Sequence, residues 1–220
     1  MPNDPALPSG PGRPKDLVKR EAILQAAKVL FLSNGYSGTS MDAVAAQAGV
    51  SKLTVYGHFT DKETLFSAAV IATCQAQLPE VLFDPPQGAP IKEVLLDIGR
   101  GFHALISSQE SVNLHRLIIA LGSQDPKLCQ IFFEAGPLPL LKEMERLLKR
   151  MNQNGGLAIQ DPHLAAEHFF SLLKGAPHFR LLLGCSEPLD EVAIERHVGA
   201  VVELFVRAYR PDQEPEPRST

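Results

Sequence analysis

Apolar residues recur at intervals of three and four along almost the whole chain, whereas alternation with a period of two never persists. The first example is a stripe formed by Ile23, Ala26, Ala27, Leu30 and Phe31. This spacing places apolar side chains on one face of an α-helix. Hydrophobic residues make up 45% of the 220 residues, which is enough to fill a sizeable core. The sequence therefore predicts an all-α fold.

Composition and short motifs exclude several classes of protein. A formal net charge of −4 argues against a surface coated throughout by nucleic acid. Cys74, Cys129 and Cys185 are scattered and lack CxxC spacing, so they support neither a disulfide framework nor a zinc site. No stretch reaches the roughly 18 apolar residues of a membrane span, and the N-terminus lacks the apolar run of a signal peptide. We expect a cytoplasmic protein with no metal, cofactor or membrane partner.

Breaks in the apolar pattern divide the first third of the chain into four helices. Residues 1–14 contain five prolines and two glycines, which predicts a flexible arm. Two T-x-x-D/E patterns, Thr39 with Asp42 and Thr60 with Glu63, have the spacing of helix capping boxes. The predicted helices run from near Asp16 to Asn34–Gly35, from Thr39–Ser40 to Gly49, from Ser51 to near Phe59, and from Thr60 to the linker Asp84–Gly88.

Longer helices follow the linker. The pattern predicts helices at about 91–107, 110–121, 126–134 and 137–152. Asp161, followed by Pro162, is expected to open the next helix, which Pro177 should kink. Ser186 and Pro188 are expected to open the last helix, which runs to about Tyr209 before a flexible tail at 211–220. The domain boundary is expected within the fourth helix, near residues 63–77.

The second and third helices, joined by a turn containing Gly49, have the pattern of a DNA-reading helix-turn-helix at about 40–59. Val55 and Phe59 are four residues apart and share the inner face of the third helix. Lys52, Leu53, Tyr56 and Gly57 then face outwards. An exposed Leu and Tyr serve no core on so short a helix, whereas a major groove offers them thymine methyl groups and base edges. Gly57 costs about 1 kcal/mol against Ala within a helix, which clearance from a duplex would explain.

Potential phosphate contacts surround this outward face. Thr39 and Ser40 begin the second helix and Lys62 lies in the first turn of the fourth, where helix N-termini favour anions. Arg13, Lys15, Lys19 and Arg20 form a basic arm that could follow the DNA backbone or enter the minor groove. The complete set of predicted DNA-binding residues is Thr39, Ser40, Lys52, Leu53, Thr54, Tyr56, His58 and Lys62.

Residues 13–77 resemble the N-terminal domain of the TetR/AcrR family of bacterial transcription regulators. The resemblance rests on the first-helix pattern, GTSM at 38–41, AAQAGVSK at 45–52, Tyr56-Gly-His-Phe and the following Lys-Glu. Thr54 and Tyr56 match the family's DNA-contacting positions and Lys62 its phosphate contact, while Gly57 departs from the usual aromatic or polar residue. FFEAGP at 132–137 and DPHLAAEHFFSLLKG at 161–175 resemble the C-terminal domain of the AefR-like branch.

This resemblance implies a helix-turn-helix DNA-binding domain at 15–77 and a helical effector-binding and dimerisation domain at 78–210. It also implies a homodimer that binds double-stranded operator DNA and a small-molecule effector in the C-terminal domain. We expect a hydrophobic effector because apolar residues dominate the central helices. The predicted effector-binding residues are His103, Ile106, His115, Ile118, Phe133, Met144 and His168.

The apolar stripe of the last helix can pack either within the monomer or against a second copy, and periodicity alone leaves both open. The family resemblance favours the dimer. The predicted interface residues are Phe169, Leu172, Ile194, Val198, Val201, Val202 and Phe205.

Family analogy indicates a repressor that an effector releases from a palindromic operator. Two alternatives have no DNA role: an all-α enzyme that uses the C-terminal cavity, and an adaptor that binds protein through Leu53 and Tyr56. The chain has no G-x-S-x-G, Walker or dinucleotide-binding motif, and no catalytic residues are predicted.

Overall fold

The computed structural model describes residues 13–211, within which the chain forms ten α-helices and no strand. The all-α prediction is confirmed. The predicted arm and tail lie outside the described residues, except that Arg13 and Pro14 belong to the first helix and Pro211 follows the last. The helices are α1 (Arg13–Gly38), α2 (Met41–Gln47), α3 (Lys52–His58), α4 (Lys62–Gln77), α5 (Ile91–Ser107), α6 (Gln109–Leu121), α7 (Pro126–Ala135), α8 (Pro137–Gln153), α9 (Pro162–Leu183) and α10 (Glu191–Ala208).

The described chain divides into two compact units between Ala69 and Val70, within α4. In the first unit, the predicted stripe of α1 is buried against the other helices. Its Phe31 ring meets the Phe66 ring of α4 edge to face, with 5.3 Å between centroids. Each such buried apolar side chain stabilises the fold by about 1.5–3 kcal/mol relative to an exposed one. The core residues of this unit include Ile23, Ala27, Phe31, Met41, Val44, Val55, Phe59, Leu65 and Phe66.

The predicted capping boxes are wrong by one residue at both helices. The hydroxyl of Thr39 donates to the carbonyls of Leu30 and Gly35, so Ser40 caps α2 by accepting from the Ala43 amide at 3.1 Å. Similarly, Asp61 rather than Thr60 accepts from the first turn of α4, at the Thr64 amide. The predicted cap of α3 is confirmed, because the Ser51 hydroxyl accepts from the Thr54 amide at 3.1 Å.

Glycine interrupts α1 where a stop was predicted. Gly35 has φ 71° and ψ 172°, a conformation that glycine adopts without the steric cost of a Cβ. One further helical turn follows it before α1 ends at Gly38. The helix also begins at Arg13, three residues before the predicted start.

The second unit is built around α5, α8, α9 and α10. Gly99 of α5 lies so close to α10 that a Cβ there would be 2.7 Å from Val198 Cγ1. Close approach of this kind allows the side chains of the two helices to interdigitate. The core residues include Leu95, Ile98, Phe102, Met144, Leu147, Leu148, Phe169, Leu173, Val198, Val202 and Phe205.

Three boundaries in this unit differ from the predictions. α4 ends at Gln77 rather than at the linker, because Leu78 and Phe83 turn into the core around a short 3-10 helix at Glu80–Phe83. α10 begins at Glu191, where the Asp190 carboxylate accepts from the Ala193 amide at 2.8 Å, so Ser186 does not open it. The break in α9 falls at Gly175 (φ 46°, ψ −162°), two residues before Pro177. Between residues 13 and 211, no helix is both long enough and apolar enough to cross a membrane.

Candidate nucleic-acid interface and internal cavity

The third helix has one face fixed to the domain and one face open. Val55 and Phe59 are almost completely buried beneath it, and the Arg20 guanidinium lies 5.3 Å from the centre of the Phe59 ring. On the opposite side, Leu53 is 84% exposed and Tyr56 is 45% exposed. The predicted division into an inner and an outer face is confirmed. The domain's own packing does not account for the two apolar side chains on the outer face.

Gly57 continues this outer face without a side chain. A Cβ built at Gly57 would meet no atom within 4 Å, so packing within the domain does not require glycine there. Glycine costs about 1 kcal/mol within a helix. Its presence therefore indicates that α3 needs open space on its outer face, as it would against a binding partner.

Lys52 forms the polar edge of the same surface. Its ammonium pairs with the Asp42 carboxylate at 2.8 Å and lies 6.0 Å from the centre of the Tyr56 ring. The hydrogen bond to Asp42 raises the pKa of Lys52, so the side chain stays charged at neutral pH. Both partners are exposed, and the pair therefore orients Lys52 more than it stabilises the fold.

Three of the predicted DNA-binding residues hold the domain together instead of standing free on its surface. Thr39 is 2% exposed and its hydroxyl donates to backbone carbonyls, so this hydroxyl serves the fold, and DNA contact by Thr39 stays a prediction. The Lys62 ammonium donates to the carbonyls of Tyr36 and Thr39 at 2.8 and 3.1 Å, and lies 4.3 Å from the Tyr36 ring centre. His58 is largely buried, with Nε2 at 3.2 Å from the Asp16 carboxylate.

The other predicted polar contacts are local. Ser40 is exposed and caps α2, while Thr54 Oγ1 lies 2.8 Å from Ser51 Oγ. Of the predicted basic arm, Lys19 and Arg20 are exposed on α1, whereas the side chains of Arg13 and Lys15 lie outside the described part. DNA contact by these residues, and by Lys62 and His58, stays a prediction.

The second unit contains a cavity of about 400 Å³ between α4, α5, α6, α7, α8 and α9. Its wall is mainly apolar, with aromatic residues from α5, α7 and α9. Three predicted effector-binding residues line it: Ile106, His115 and Phe133. The further apolar lining residues include Val70, Phe102, Leu105, Leu114, Phe132, Leu140, Leu141 and Phe170.

The other four predicted effector-binding residues do not line this cavity. Met144 is fully buried in the core, and Ile118 is packed beside Cys129. His103 faces a separate small pocket near His178. His168 is exposed, and its Nδ1 lies 3.2 Å from the Tyr209 hydroxyl. A buried or aromatic residue on a central helix need not face this cavity, so its wall gives no support to effector binding by these four residues, which stays a prediction.

Several polar lining residues were not predicted. Glu167, Ser171 and Lys174 follow one another at spacings of four and three along α9, which places them on one helical face. Thr73 and Cys74 of α4 and Ser111 of α6 also line the wall, and the Thr73 hydroxyl donates to Glu110 at 2.9 Å. This spacing is visible in the sequence, whereas the predicted residue His168 lies on the adjacent face of α9.

Burial controls the protonation of the basic groups in and near the cavity. His115 Nδ1 lies 2.7 Å from the Ser111 carbonyl, which can only accept, so Nδ1 carries the proton. Burial lowers the pKa of His115, and the charge of Lys174 lowers it further. Lys174 is exposed at the cavity wall, and partial desolvation by the surrounding protein lowers its pKa.

His178 lies behind the cavity, with its ring centre 5.7 Å from that of His115. Burial lowers the pKa of His178 to about 4, and neighbouring His115, Lys174 and His103 lower it in the same direction. Its Nδ1 is buried without a hydrogen-bond partner among the described residues. The ring is therefore neutral at physiological pH. Across the described part of the chain, no group of three or more His, Cys, Asp or Glu residues is arranged to hold a metal ion.

Most of the predicted dimer interface lies in the core of the second unit. Phe169, Val198, Val201, Val202 and Phe205 are buried there, and Ile194 is partly buried against the same core. The five buried residues are covered within the chain because α10 turns its apolar stripe towards α5 and α9, whereas a place for Ile194 in a dimer interface stays a prediction. Leu172 is 37% exposed and is the one predicted residue on an open face. The apolar residues that α9 and α10 leave exposed are Leu164, Leu172, Phe179, Leu183, Val192 and Leu204.

The chain combines a helix-turn-helix that has an open apolar outer face with a helical unit that encloses a cavity. This combination is typical of a DNA-binding transcription regulator. Residues 23–69 match the bacterial regulatory proteins of the tetR family, and residues 93–211 match the C-terminal domain of AefR-like transcriptional repressors. The chain belongs to the TetR family of bacterial transcription regulators.

Similar proteins agree with this assignment over most of their length. The solved structure of a TetR-family regulator from Mesorhizobium loti is 34% identical, with a TM-score of 0.75 over 90% of this chain and 99% of that one. The structure of the flavonoid-responsive regulator FrrA is also 34% identical, with a TM-score of 0.71 over 89% and 98%. The transcriptional regulator YdeS of Bacillus subtilis is 28% identical over 81% of this chain and 86% of its own length.

Proposed function

We propose that this regulator is a repressor that leaves a pseudo-palindromic operator when a small hydrophobic effector fills the cavity. The proposal of DNA binding rests on the exposure of Leu53 and Tyr56 on a helix whose inner face is held by the buried Val55 and Phe59. The match of residues 93–211 to AefR-like repressors supports repression over activation. The DNA-binding domain would comprise residues 15–77 and the effector-binding domain residues 78–210.

A dimer would place two recognition helices in successive major grooves. We propose that the exposed apolar residues of α9 and α10 form its interface. Leu172 is exposed before the break in α9, Phe179 and Leu183 are exposed four residues apart after it, and Leu204 is 54% exposed on α10. Side chains of this size lose unfavourable contact with water when a second copy covers them.

Helix α4 offers a direct route for coupling. Its first residue, Lys62, donates to the carbonyls of Tyr36 and Thr39 at the α1–α2 connection. Its later residues Thr73 and Cys74 line the cavity. An effector that shifts the second half of α4 therefore acts on a helix that also holds the start of α2. Coupling between two sites in a regulator typically amounts to about 1–3 kcal/mol.

The chemistry of the wall supports an aromatic effector. Phe102 and Phe170 lie at 4.4 Å between ring centres, and Phe132 meets the His115 ring edge to face at 5.4 Å. Aromatic walls bind flat rings by stacking and by edge-to-face contact. The likeness to FrrA, which is described as flavonoid-responsive, points to the same class.

Gel-shift titration with the DNA upstream of the protein's own gene tests the DNA-binding proposal. We expect binding that weakens as salt rises, because phosphate contacts release counterions. Tyr56→Ala should weaken specific binding by about 1–3 kcal/mol, the usual contribution of a base contact. Val29→Ala, at an apolar position 55% exposed on α1, is the matched control and should leave affinity unchanged.

Two outcomes would contradict DNA reading by α3. Binding that is independent of sequence and unchanged by Tyr56→Ala would show that α3 does not read bases. Protein capture through Leu53 and Tyr56 without any DNA binding would favour the adaptor instead.

A further inference from the structure

Two glycines of the second unit lie in close contact with the second half of α4. A Cβ built at Gly101 of α5 would lie 2.8 Å from Leu78 Cδ1 and 3.0 Å from the carbonyl oxygen of Gln77, where α4 ends. A Cβ built at Gly136, between α7 and α8, would lie 3.0 Å from Val70 Cγ1. A side chain at either position would therefore crowd α4 or the residue that follows it.

The backbone conformation does not explain why these two residues are glycines. Gly101 lies within α5 and Gly136 has φ −115°, so neither adopts the positive φ that favours glycine. Glycine is also less favourable than alanine inside a helix, so Gly101 costs α5 some stability. What both glycines allow is the close approach of residues 70–78, which we call the α4 end segment.

The α4 end segment also forms part of the cavity wall. Val70, Thr73 and Cys74 line the cavity, as does Gly136, whose Cβ would lie 3.5 Å from Cys74 Sγ. Val70 and Leu78 are almost completely buried, so the segment has little freedom to move without displacing its neighbours. The residues that the two glycines contact are therefore among, or adjacent to, those that an effector would touch.

We propose that Gly101 and Gly136 are positioning residues: their contacts hold the α4 end segment where the free protein binds its operator. This inference rests on the proposed coupling through α4 and names the residues that set the position of that helix. α4 is a single helix, and its first residue, Lys62, is hydrogen-bonded to the α1–α2 connection. A displacement of the α4 end segment therefore reaches the start of α2.

Gel-shift titration of two alanine variants with the DNA upstream of the protein's own gene tests the proposal without any effector. In Gly101→Ala the new Cβ meets the Gln77 carbonyl, which moves only with the backbone, so the α4 end segment must shift. We expect this variant to bind the operator about fivefold or more weakly, the lower range of coupling between two sites in a regulator. Gly136→Ala meets Val70 Cγ1 at 3.0 Å and should cause a smaller shift and a smaller loss of affinity.

Gly99→Ala is the matched control, because it adds the same methyl group to α5 two residues from Gly101. Its Cβ would lie 2.7 Å from Val198 Cγ1, so it crowds α10 instead of α4. All three variants should unfold at lower urea concentrations than the wild type, because overpacking destabilises a core. Only Gly101→Ala and Gly136→Ala should lose operator affinity where all the proteins are folded and sediment like the wild type. A general loss of stability would not produce this difference.

Hydrogen exchange followed by mass spectrometry tests the same contacts without DNA. The amides of residues 70–77 should exchange faster in Gly101→Ala and Gly136→Ala than in Gly99→Ala, because crowding loosens the helix locally. Val70→Ala removes the Cγ1 atom that Gly136→Ala crowds. The double variant should therefore bind the operator more tightly than Gly136→Ala alone.

Wild-type operator affinity in Gly101→Ala, or equal losses in Gly101→Ala and Gly99→Ala, would overturn the inference. Equal exchange at residues 70–77 in these two variants would also overturn it. Should Gly101→Ala fail to fold, wild-type affinity in Gly136→Ala, or no recovery in its double variant with Val70→Ala, would count against the proposed contacts. If the wild type binds no operator but the difference in exchange is present, the proposed regulatory function is refuted and the positioning of α4 by the two glycines stands.

Discussion

Replacing His178 with Phe should remove part of the protein's sensitivity to acid. Burial lowers the pKa of this histidine from an ordinary value of 6.5 to about 4 in the folded state. Above pH 6.5 the ring is neutral in both the folded and the unfolded protein, so it contributes no pH dependence. As the pH falls from 6.5 towards 4, the unfolded chain binds a proton that the folded protein refuses. The free energy of unfolding therefore falls through this window and levels off below it.

The size of the effect follows from the same two pKa values. At about 1.36 kcal/mol per pKa unit, the difference corresponds to a loss of about 3 kcal/mol. Relaxation of the protein around a charged ring and entry of water reduce this, and we expect roughly 2 kcal/mol. Phe keeps an aromatic ring beside His115 and removes the titration.

Urea unfolding followed by circular dichroism at pH 7.5 and pH 4.5 measures the effect. Between pH 7.5 and pH 4.5, the free energy of unfolding of the wild type should fall by about 2 kcal/mol more than that of His178→Phe. His103 and His115, whose pKa values are also lowered by burial, remain in both proteins and cancel in the comparison. His168→Phe, at an exposed position, is the control. Equal losses in the wild type and in His178→Phe would refute the reasoning.

Two further predictions concern the first unit and the dimer. Lys62→Met removes a charged donor from the carbonyls of Tyr36 and Thr39, and should lower the free energy of unfolding by about 2 kcal/mol, measured by urea titration. An unchanged midpoint would show that these hydrogen bonds stabilise nothing. Leu204→Asp should give a folded monomer in sedimentation, whereas Val202→Asp, at a fully buried position, should prevent folding. A folded dimer of Leu204→Asp would show that the interface lies elsewhere.

The recognition helix could be predicted from sequence because the information that defines it is local. Ser51 caps α3 within one turn, and the spacing of Val55 and Phe59 fixes the inner face. On a helix of seven residues, fixing one face leaves the other to solvent. Leu53 and Tyr56 therefore had to be exposed, whatever the rest of the chain does.

The residues of the dimer interface could not be predicted for the opposite reason, because the necessary information is not local. The stripe containing Val198 and Val202 indicates that one face of α10 is buried, but not which surface covers it. The covering helix, α5, lies about a hundred residues earlier, and the close approach at Gly99 becomes evident only in three dimensions. The exposed residue Leu204 lies beside this stripe and has no periodic signal of its own.

The cavity was predicted in part because its wall combines residues from six helices. The sequence identifies a face on each helix, but the position of each helix decides whether that face meets a cavity or the core. Met144 and Ile106 are both apolar and buried, yet only Ile106 lines the cavity. Lys174 also lines the cavity, and its place in the sequence does not distinguish it from a solvated lysine.

The break in α9 shows how a sequence signal and a distant partner combine. Pro177 lacks the N–H that would donate to the carbonyl of Leu173 in an uninterrupted helix. That carbonyl instead accepts from His197 Nε2 of α10 at 2.9 Å, so the imidazole replaces the missing backbone donor. Gly175 adopts the positive φ that lets the chain turn between the two residues. Pro177 therefore explains why α9 breaks, and His197 explains how the freed carbonyl stays paired next to Lys174, where α9 forms the cavity wall.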